Sequence, residues 1–134
     1  MKTIRISTKK REEFIDITMD IDKILSRTKI NSGLCIVFCP HTTAALTINE
    51  NADPSVRKDI TNYLGKLIPE GKGYSHLEGN SDSHIKSSII GNSLNIIVED
   101  GKLVLGTWQG VYFCEFDGPR SREVYVRSIK GGER

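Results

Sequence analysis

Leu34-Cys35-Ile36-Val37-Phe38-Cys39, closed by Pro40, is the stretch around which the rest of this chain is organised. Its six apolar residues follow one another without polar alternation. Such a pattern is typical of a central β-strand that is covered on both faces. The stretch therefore predicts a sheet with a packed layer on each side.

On the N-terminal side of this stretch, strands are predicted at residues 3–7 and 13–18. The polar turn between them contains Lys9-Lys10-Arg11, which acidic residues follow at once, so we interpret it as a solvated turn that makes the two strands a hairpin. A helix is predicted to begin with Asp20 as its N-cap, because Ile21, Ile24 and Leu25 recur at helical spacing.

On the C-terminal side, the pattern predicts a strand at 43–49, two helices and then strands at 93–98, 110–116 and 122–129. Asp53-Pro54 is an N-cap followed by proline at the first helical position. The second helix, 83–90, is predicted to face inward with Ile85, Ile89 and Ile90. Because helices and strands do not alternate singly in this ββαββααβββ order, we expect one compact α+β domain over residues 1–134, largely antiparallel, with helices packed on the sheet.

Composition and charge narrow the classes of function. The chain has 134 residues, 19 Lys and Arg against 17 Asp and Glu, and a net charge of +2, which offers no clustered basic face for nucleic acid. No segment resembles a signal peptide or approaches the roughly 20 apolar residues that cross a bilayer. Three cysteines, an odd number, fit a reducing compartment. We expect a cytoplasmic protein without a nucleic-acid or membrane partner.

All three histidines lie in two polar runs, Pro40-His41-Thr42-Thr43 and residues 74–90, which contain His76 and His84. Neutral imidazole is a good ligand for zinc and similar metals, and each histidine follows or opens a turn. Each could cap its own loop, or the three could share one site. Three histidines with an open position are a known arrangement of catalytic zinc.

Two other features point to chemistry. Glu115 lies in a strand that is apolar on both faces, so it must meet a cation or a metal, either in an internal salt bridge or in a pocket. The backbone N–H groups of residues 82–85 begin a helix and favour an anion, and Arg120 offers a fork for an oxyanion. A surface ion pair is the alternative role for Arg120. Glu50, unlike Asp53, has no evident structural role.

Four motifs, in order along nearly the whole chain, resemble the YjbQ family, which is often labelled secondary thiamine-phosphate synthase. They are Pro40-His41-Thr42-Thr43-Ala44-Ala45-Leu46-Thr47-Ile48-Asn49-Glu50-Asn51-Ala52-Asp53-Pro54, the run from His76 through Glu78-Gly79-Asn80-Ser81-Asp82-Ser83-His84 to Ser88, Leu105-Gly106-Thr107-Trp108-Gln109-Gly110 and Glu115-Phe116-Asp117-Gly118-Pro119-Arg120.

The resemblance implies a homotrimer with sites near subunit interfaces and a metal site on His41, His76 and His84. It also carries the family's polar positions onto this chain. They are Asn49, Glu50, Asp53, Asn80, Asp82, Ser87, Trp108, Gln109, Glu115 and Arg120. The stretch 74–90, His41 with the 49–53 loop, and residues 115–120 are then expected to form three walls of one site.

Two functions follow from these expectations. The first is an enzyme that acts on a phosphorylated small molecule through a divalent metal, zinc by preference, held by the three histidines. Its candidate catalytic carboxylates are Glu50, Glu115 and Asp82, with Glu50 or Glu115 as general base; weak thiamine-phosphate synthesis is one such reaction. Substrate binding falls to Asn49, Asp53, Asn80, Ser87, Trp108, Gln109 and Arg120. The second is a non-catalytic trimeric protein that binds a metal or metabolite, since no single diagnostic catalytic motif is present.

Overall fold

The structure, a computed structural model, describes residues 1–71 and 73–132. The predicted element order is confirmed, with one addition, a two-residue strand after β5. In chain order the elements are β1 Lys2–Ser7, β2 Glu13–Asp16, α1 Thr18–Thr28, β3 Gly33–Phe38, β4 Ala44–Glu50, α2 Pro54–Leu67, α3 Ser81–Ile90, β5 Ser93–Glu99, β6 Lys102–Leu103, β7 Gln109–Glu115 and β8 Ser121–Lys130.

The strands form two antiparallel sheets, so the predicted α+β class with largely antiparallel pairing is confirmed. Sheet A has the strand order β1-β8-β3-β5-β6, and sheet B has the order β2-β7-β4. The main core lies between the two sheets, and Ile21 and Leu25 of α1 contribute to it. A second apolar cluster lies on the far face of sheet B, where α2 and α3 pack against Tyr112 and Phe116. None of these helices, in the part of the chain described, has the length and apolar content of a membrane span.

The predicted hairpin of β1 and β2 is wrong. β1 pairs with β8 and β2 pairs with β7, so the two strands belong to different sheets. The turn between them closes on itself, because Glu13 Oε2 accepts from the backbone N of Lys9 (2.6 Å) and Lys10 (3.1 Å). A polar turn with this internal bonding can link two strands of different sheets as well as two strands that pair in one sheet.

The predicted start of α1 is also wrong. The helix begins at Thr18, and Asp16 rather than Asp20 satisfies its first N–H group. Asp16 Oδ1 accepts from the backbone N (2.9 Å) and from Oγ1 (2.6 Å) of Thr18. Asp16 is the last residue of β2 and stands two positions before Thr18, whereas Asp20 already lies inside the helix.

β3 lies in the centre of sheet A as predicted, but only one of its faces is covered within the chain. Cys35 and Val37 are buried, whereas Leu34 and Phe38 are each 40% exposed. Ile97 and Ile129, which flank Leu34 on the neighbouring strands, are exposed as well. The prediction of burial on both faces is therefore wrong for β3, and an apolar outer face of sheet A (Leu34, Phe38, Ile97, Ile129) is left open.

The inward face predicted for α3 is wrong too, because the helix buries polar residues and exposes Ile85 and Ile89. It packs on β4, an edge strand whose backbone groups need partners. Ser87 Oγ donates to the Ala44 carbonyl (2.6 Å), and the Gly91 carbonyl accepts from the Leu46 N–H (3.0 Å). Completing this edge decides the orientation of the helix, and Ile90 alone among its isoleucines packs on the second apolar cluster.

Candidate functional site

A pocket of about 390 Å³ lies at the end of the molecule where β3 and β7 end and where β4, β8 and α3 begin. All three histidines line it, together with two arginines. The full lining is Pro40, His41, Thr42, Thr43, His76, Glu78, Asn80, His84, Asp117, Arg120 and Arg122. The first and third predicted walls therefore do face each other within one chain.

His76 and His84 form a close pair in this pocket. Their ring centroids are 5.2 Å apart and the rings are nearly perpendicular. Glu78 lies beside them, with its Oε1 atom 3.7 Å from Nε2 of His76. The pair thus presents two imidazoles and one carboxylate to the same space.

His41 is held differently, because its ring bonds the backbone of β8 beyond the end of β3. β3 ends at Phe38, so Glu123 of β8 has no strand partner on that side. Nε2 of His41 lies 2.9 Å from the Glu123 backbone N and 3.1 Å from its carbonyl oxygen. Burial, followed by the charge of Arg122, lowers the pKa of His41 and favours the neutral ring.

The three-histidine metal site does not fit this arrangement as it stands. In the part of the chain that the structure describes, no three His, Cys, Asp or Glu side chains are grouped as ligands of one ion. His76 and His84 lie close together, but His41 would first have to release Glu123. That all three hold one metal stays a prediction.

Two arginines bring positive charge to the pocket, and each is oriented by a carboxylate. Arg122 is only 5% exposed; its Nε donates to Glu115 Oε1 (2.8 Å), and its Nη2 donates to Glu115 Oε2 and to Thr43 Oγ1 (2.9 Å). Arg120 is exposed and donates from Nε to the Asp117 carbonyl (2.9 Å) and from Nη2 to Asp117 Oδ2 (2.9 Å). Among the described residues, neither Nη1 group has an acceptor.

Glu115 is fully buried and anchors Arg122, which confirms that it meets a cation. Its Oε1 also accepts from Thr8 Oγ1 (2.7 Å), and its Oε2 accepts from the Asp117 N–H (3.1 Å). Burial opposes the charged form, yet the bonds from Arg122 and Thr8 outweigh it and lower the pKa of Glu115. Both oxygens are occupied, so the geometry favours the internal salt bridge over the role of general base.

Thr8, which directly follows β1, joins the two arginines, and it was not among the predicted site residues. Its Oγ1 donates to Glu115 and accepts from the backbone N of Arg120 (2.8 Å). A Cβ at Gly118 would lie 2.3 Å from the Lys10 carbonyl oxygen and 2.8 Å from Thr8 Oγ1, so only glycine permits this approach. Arg122 was also missed, since nothing local distinguishes it from a surface arginine. Asp117 and Thr43 lie in quoted motifs but were not among the predicted site residues.

The predicted residues of α3 lie beside the pocket or at its rim. Asp82 is fully buried and accepts from Arg11 (3.1 and 3.2 Å) and from Lys86 (3.2 Å); burial opposes the charged form, but these bonds lower the pKa of Asp82. The Ser87 hydroxyl donates to the Ala44 carbonyl of β4 and does not line this pocket. Asn80 does line the pocket, where its Nδ2 donates to Asp117 Oδ2 (2.8 Å), while its buried Oδ1 has no partner among the described residues.

The remaining predicted residues lie at the opposite end of sheet B. β4 and β7 are antiparallel, with Ala44 opposite Glu115 at the pocket end and Glu50 opposite Gln109 at the far end. Six residues at about 3.3 Å each separate the two ends by roughly 20 Å. The prediction that the 49–53 loop forms a wall of the histidine site is therefore wrong within one chain. The five residues concerned are Asn49, Glu50, Asp53, Trp108 and Gln109.

The polar side chains of this far group have local structural partners. Asn49 Oδ1 accepts from the Glu50 N–H (2.7 Å), and Glu50 Oε2 accepts from the Ala52 N–H (3.0 Å). Asp53 caps α2 as predicted, accepting from the Ser55 N–H (2.9 Å), and Gln109 Oε1 accepts from the Gly106 N–H (2.7 Å). These bonds shape loops, so Glu50 has a structural role after all.

Comparisons with known proteins place the whole chain in one group of relatives. A UPF0047 protein of Methanocaldococcus jannaschii is 58% identical over 125 residues, which is 93% of this chain and 91% of that protein. The UPF0047 protein YugU of Bacillus subtilis is 52% identical over 130 residues, 96% of this chain and 98% of that protein.

Solved structures agree with these relatives. An uncharacterized conserved protein of the YjbQ/UPF0047 family from Clostridium acetobutylicum superposes with a TM-score of 0.95 at 51% identity, over 96% of this chain and all of that one. A YbjQ-like protein of unknown function from Sulfolobus solfataricus superposes with a TM-score of 0.93 at 30% identity, over 97% and 96% of the two chains. The family model described as UPF0047 protein YjbQ-like matches residues 2–131, and this chain therefore belongs to that family.

Proposed function

We propose that the pocket binds a phosphorylated small molecule and acts on its phosphoryl end. The observation that carries the proposal is the pair of pre-oriented guanidinium groups, Arg120 held by Asp117 and Arg122 held by Glu115, beside three imidazoles. A guanidinium fork matches the oxygens of a phosphate, and orienting it in advance reduces the entropy lost on binding. The volume of about 390 Å³ suits a small metabolite.

Imidazole is the side chain proposed to transfer protons here. Glu115 and Asp82 are buried in ion pairs, and Glu50 lies about 20 Å away along β4, so these carboxylates are poorly placed as bases. His76 and His84 line the pocket, and the Glu78 carboxylate lies 3.7 Å from His76 Nε2. The arginines would stabilise the charge of a departing phosphate or pyrophosphate, as thiamine-phosphate formation requires.

A divalent metal, zinc by the preference of imidazole donors, is the second part of this proposal. His76 and His84 are two candidate ligands, and His41 would join them only after its ring left Glu123. Such an ion supplies Lewis-acid chemistry to a phosphoryl oxygen. Elemental analysis of the purified protein and of His84→Ala tests it, and metal retained in full by the variant would exclude His84 as a ligand.

Calorimetric titration with inorganic phosphate and pyrophosphate tests the anion site itself. Arg120→Gln removes one charged donor without disturbing the core and should weaken pyrophosphate binding about tenfold or more, the usual effect of losing a charge-assisted hydrogen bond. Arg27→Gln, an exposed arginine of α1, is the matched control. An unchanged affinity in Arg120→Gln would refute the assignment.

We also propose a homotrimer built on the outer face of sheet A. Leu34, Phe38, Ile97 and Ile129 are exposed together on that face, and contiguous apolar patches mark interaction surfaces. Sedimentation velocity gives the assembly directly. A monomer at micromolar concentration would contradict this proposal without affecting the anion site.

A second function, a non-catalytic trimeric protein that binds a metal or metabolite, is favoured by one observation. His41 is bonded to the Glu123 backbone, and Asp117 is bonded to Arg120. Among the described residues that line the pocket, no base is therefore already bonded to a hydroxyl nucleophile. A broad phosphatase and phosphotransferase screen separates the two functions. Tight phosphate binding with no turnover on any substrate would favour the binding protein.

A further inference from the structure

A second pocket, of about 380 Å³, adjoins the proposed phosphate pocket. The two pockets share His41, Thr42 and His84 in their linings, so they meet at these three residues. We propose that the second pocket binds a neutral, hydroxyl-rich group, a sugar or polyol, that carries the phosphate. This inference rests on the proposed function of the first pocket and names the class of substrate.

The two pockets differ in charge. Two arginines, Glu78 and Asp117 line the first pocket, whereas none of the described residues that line the second is Lys, Arg, Asp or Glu. A phosphoryl group gains most from the guanidinium side, because charge-assisted hydrogen bonds are about twice as strong as neutral ones. The other end of the substrate, which enters the second pocket, must then be uncharged.

The second pocket also offers the hydrogen-bonding groups that hydroxyls require. Among the described residues, the side chains of Thr42 and Asn92 have no partner, and both line this pocket. An asparagine amide donates twice and accepts twice, and a threonine hydroxyl donates once and accepts up to twice, which matches a row of hydroxyl groups. The Asn92 carbonyl accepts from the Cys39 N–H (2.8 Å), so the residue is fixed to the end of sheet A.

Two serine hydroxyls that already donate to backbone carbonyls also line this pocket. Ser87 and Ser88 donate to the carbonyls of Ala44 (2.6 Å) and His84 (2.9 Å), and each keeps lone pairs that can accept from a ligand. Among the described residues, the only aromatic rings in the lining are the imidazoles of His41 and His84. A flat aromatic group has only these two rings to stack on, whereas a sugar finds hydroxyls and an amide along the rest of the lining, which favours a sugar phosphate over an aromatic phosphate.

Titration of the purified full-length protein with inorganic phosphate, ribose 5-phosphate and phenyl phosphate tests the inference. We expect ribose 5-phosphate to bind about tenfold more tightly than inorganic phosphate, the effect of one or two added neutral hydrogen bonds, and phenyl phosphate to show no such gain. In Asn92→Ala, the ratio of the ribose 5-phosphate affinity to the inorganic phosphate affinity should fall to about one. The gain should persist in Asn95→Ala, which changes an exposed asparagine of β5 that lines neither pocket.

The possible failures are distinguishable. If inorganic phosphate binds but ribose 5-phosphate gains nothing, or phenyl phosphate gains as much, the inference on the second pocket is overturned and the proposed function stands. A gain that survives Asn92→Ala overturns it as well. If none of the three probes binds, the proposed function itself fails, and the inference fails with it.

Discussion

Replacing Arg122 by methionine tests the buried ion pair beneath the proposed phosphate pocket. The variant keeps most of the side-chain volume but leaves Glu115, which is fully buried, with only Thr8 and the Asp117 N–H as donors. Removing one partner of a buried pair costs about 3–5 kcal/mol, because the other charge is left uncompensated. The free energy of unfolding at neutral pH should fall by that amount.

The loss corresponds to a large shift in melting temperature. Unfolding entropy is about 2.1 cal/mol/K per residue, or roughly 0.28 kcal/mol/K for this chain of 134 residues. A loss of about 3–5 kcal/mol then lowers Tm by roughly 11–18 °C. Protein concentration must be held fixed, since any assembly also contributes to Tm.

The stability difference between the natural protein and Arg122→Met should depend on pH, and the pKa of Glu115 sets the direction of that dependence. In the natural protein the folded pKa of Glu115 is lowered, so its contribution is present above the unfolded pKa and is lost as pH falls through the folded pKa. Without Arg122, burial raises the folded pKa above the unfolded one. The penalty then fades as Glu115 takes up a proton, and the Tm difference between the two proteins should narrow in acid.

Thermal unfolding followed by circular dichroism at about pH 7.5 and pH 4.5 measures both effects. The double variant Arg122→Met/Glu115→Leu removes both charges and should recover most of the stability, because a buried pair contributes little beyond its apolar replacement. Arg127→Met, an exposed arginine of the same strand, is the control. A wild-type Tm for Arg122→Met at pH 7.5, or a difference that does not narrow in acid, would refute the reasoning.

Three further predictions address separate features. Thr8→Val should weaken phosphate binding several-fold because it removes the hydroxyl that joins Glu115 to the Arg120 backbone, and Thr8→Ser should restore it; equal affinities by calorimetry in all three proteins would contradict this role. Phe38→Glu should shift the protein to a smaller species in sedimentation velocity with unchanged circular dichroism, and an unshifted species would exclude the outer face of sheet A as the interface. Trp108→Phe should leave phosphate affinity unchanged, since this exposed residue lies at the far end of sheet B; a marked loss would show that a neighbouring copy brings it to the pocket.

Much of the local structure could be predicted from the chain alone. Asp53 caps α2 because an acceptor directly before a proline at the first helical position has no competing local partner. The clustering of His41, His76 and His84 in polar turns anticipated a common pocket, since turns at the ends of strands are where side chains converge. Glu115 had to meet a cation for the same electrostatic reason wherever the strand lay.

Long-range pairing decided the rest. Arg122 could not be identified as the partner of Glu115, because only the turn between β7 and β8 brings the two side chains together. The group around Glu50 and Trp108 was predicted as part of the site because the order of motifs along the chain says nothing about their distances in space. The antiparallel register of β4 and β7 places this group at the end of sheet B opposite the histidine pocket.

The sequence by itself determined the elements, their order and the family, because periodicity, caps and motifs act over about ten residues. Only the tertiary structure decided that α3 turns its polar face inward. Apolar periodicity ranks Ile85 and Ile89 as core, but the unpaired backbone groups at the edge of β4 exist only once the sheet has formed, and Ser87 supplies the donor that they require. The same packing places His84 beside His76 in the candidate site.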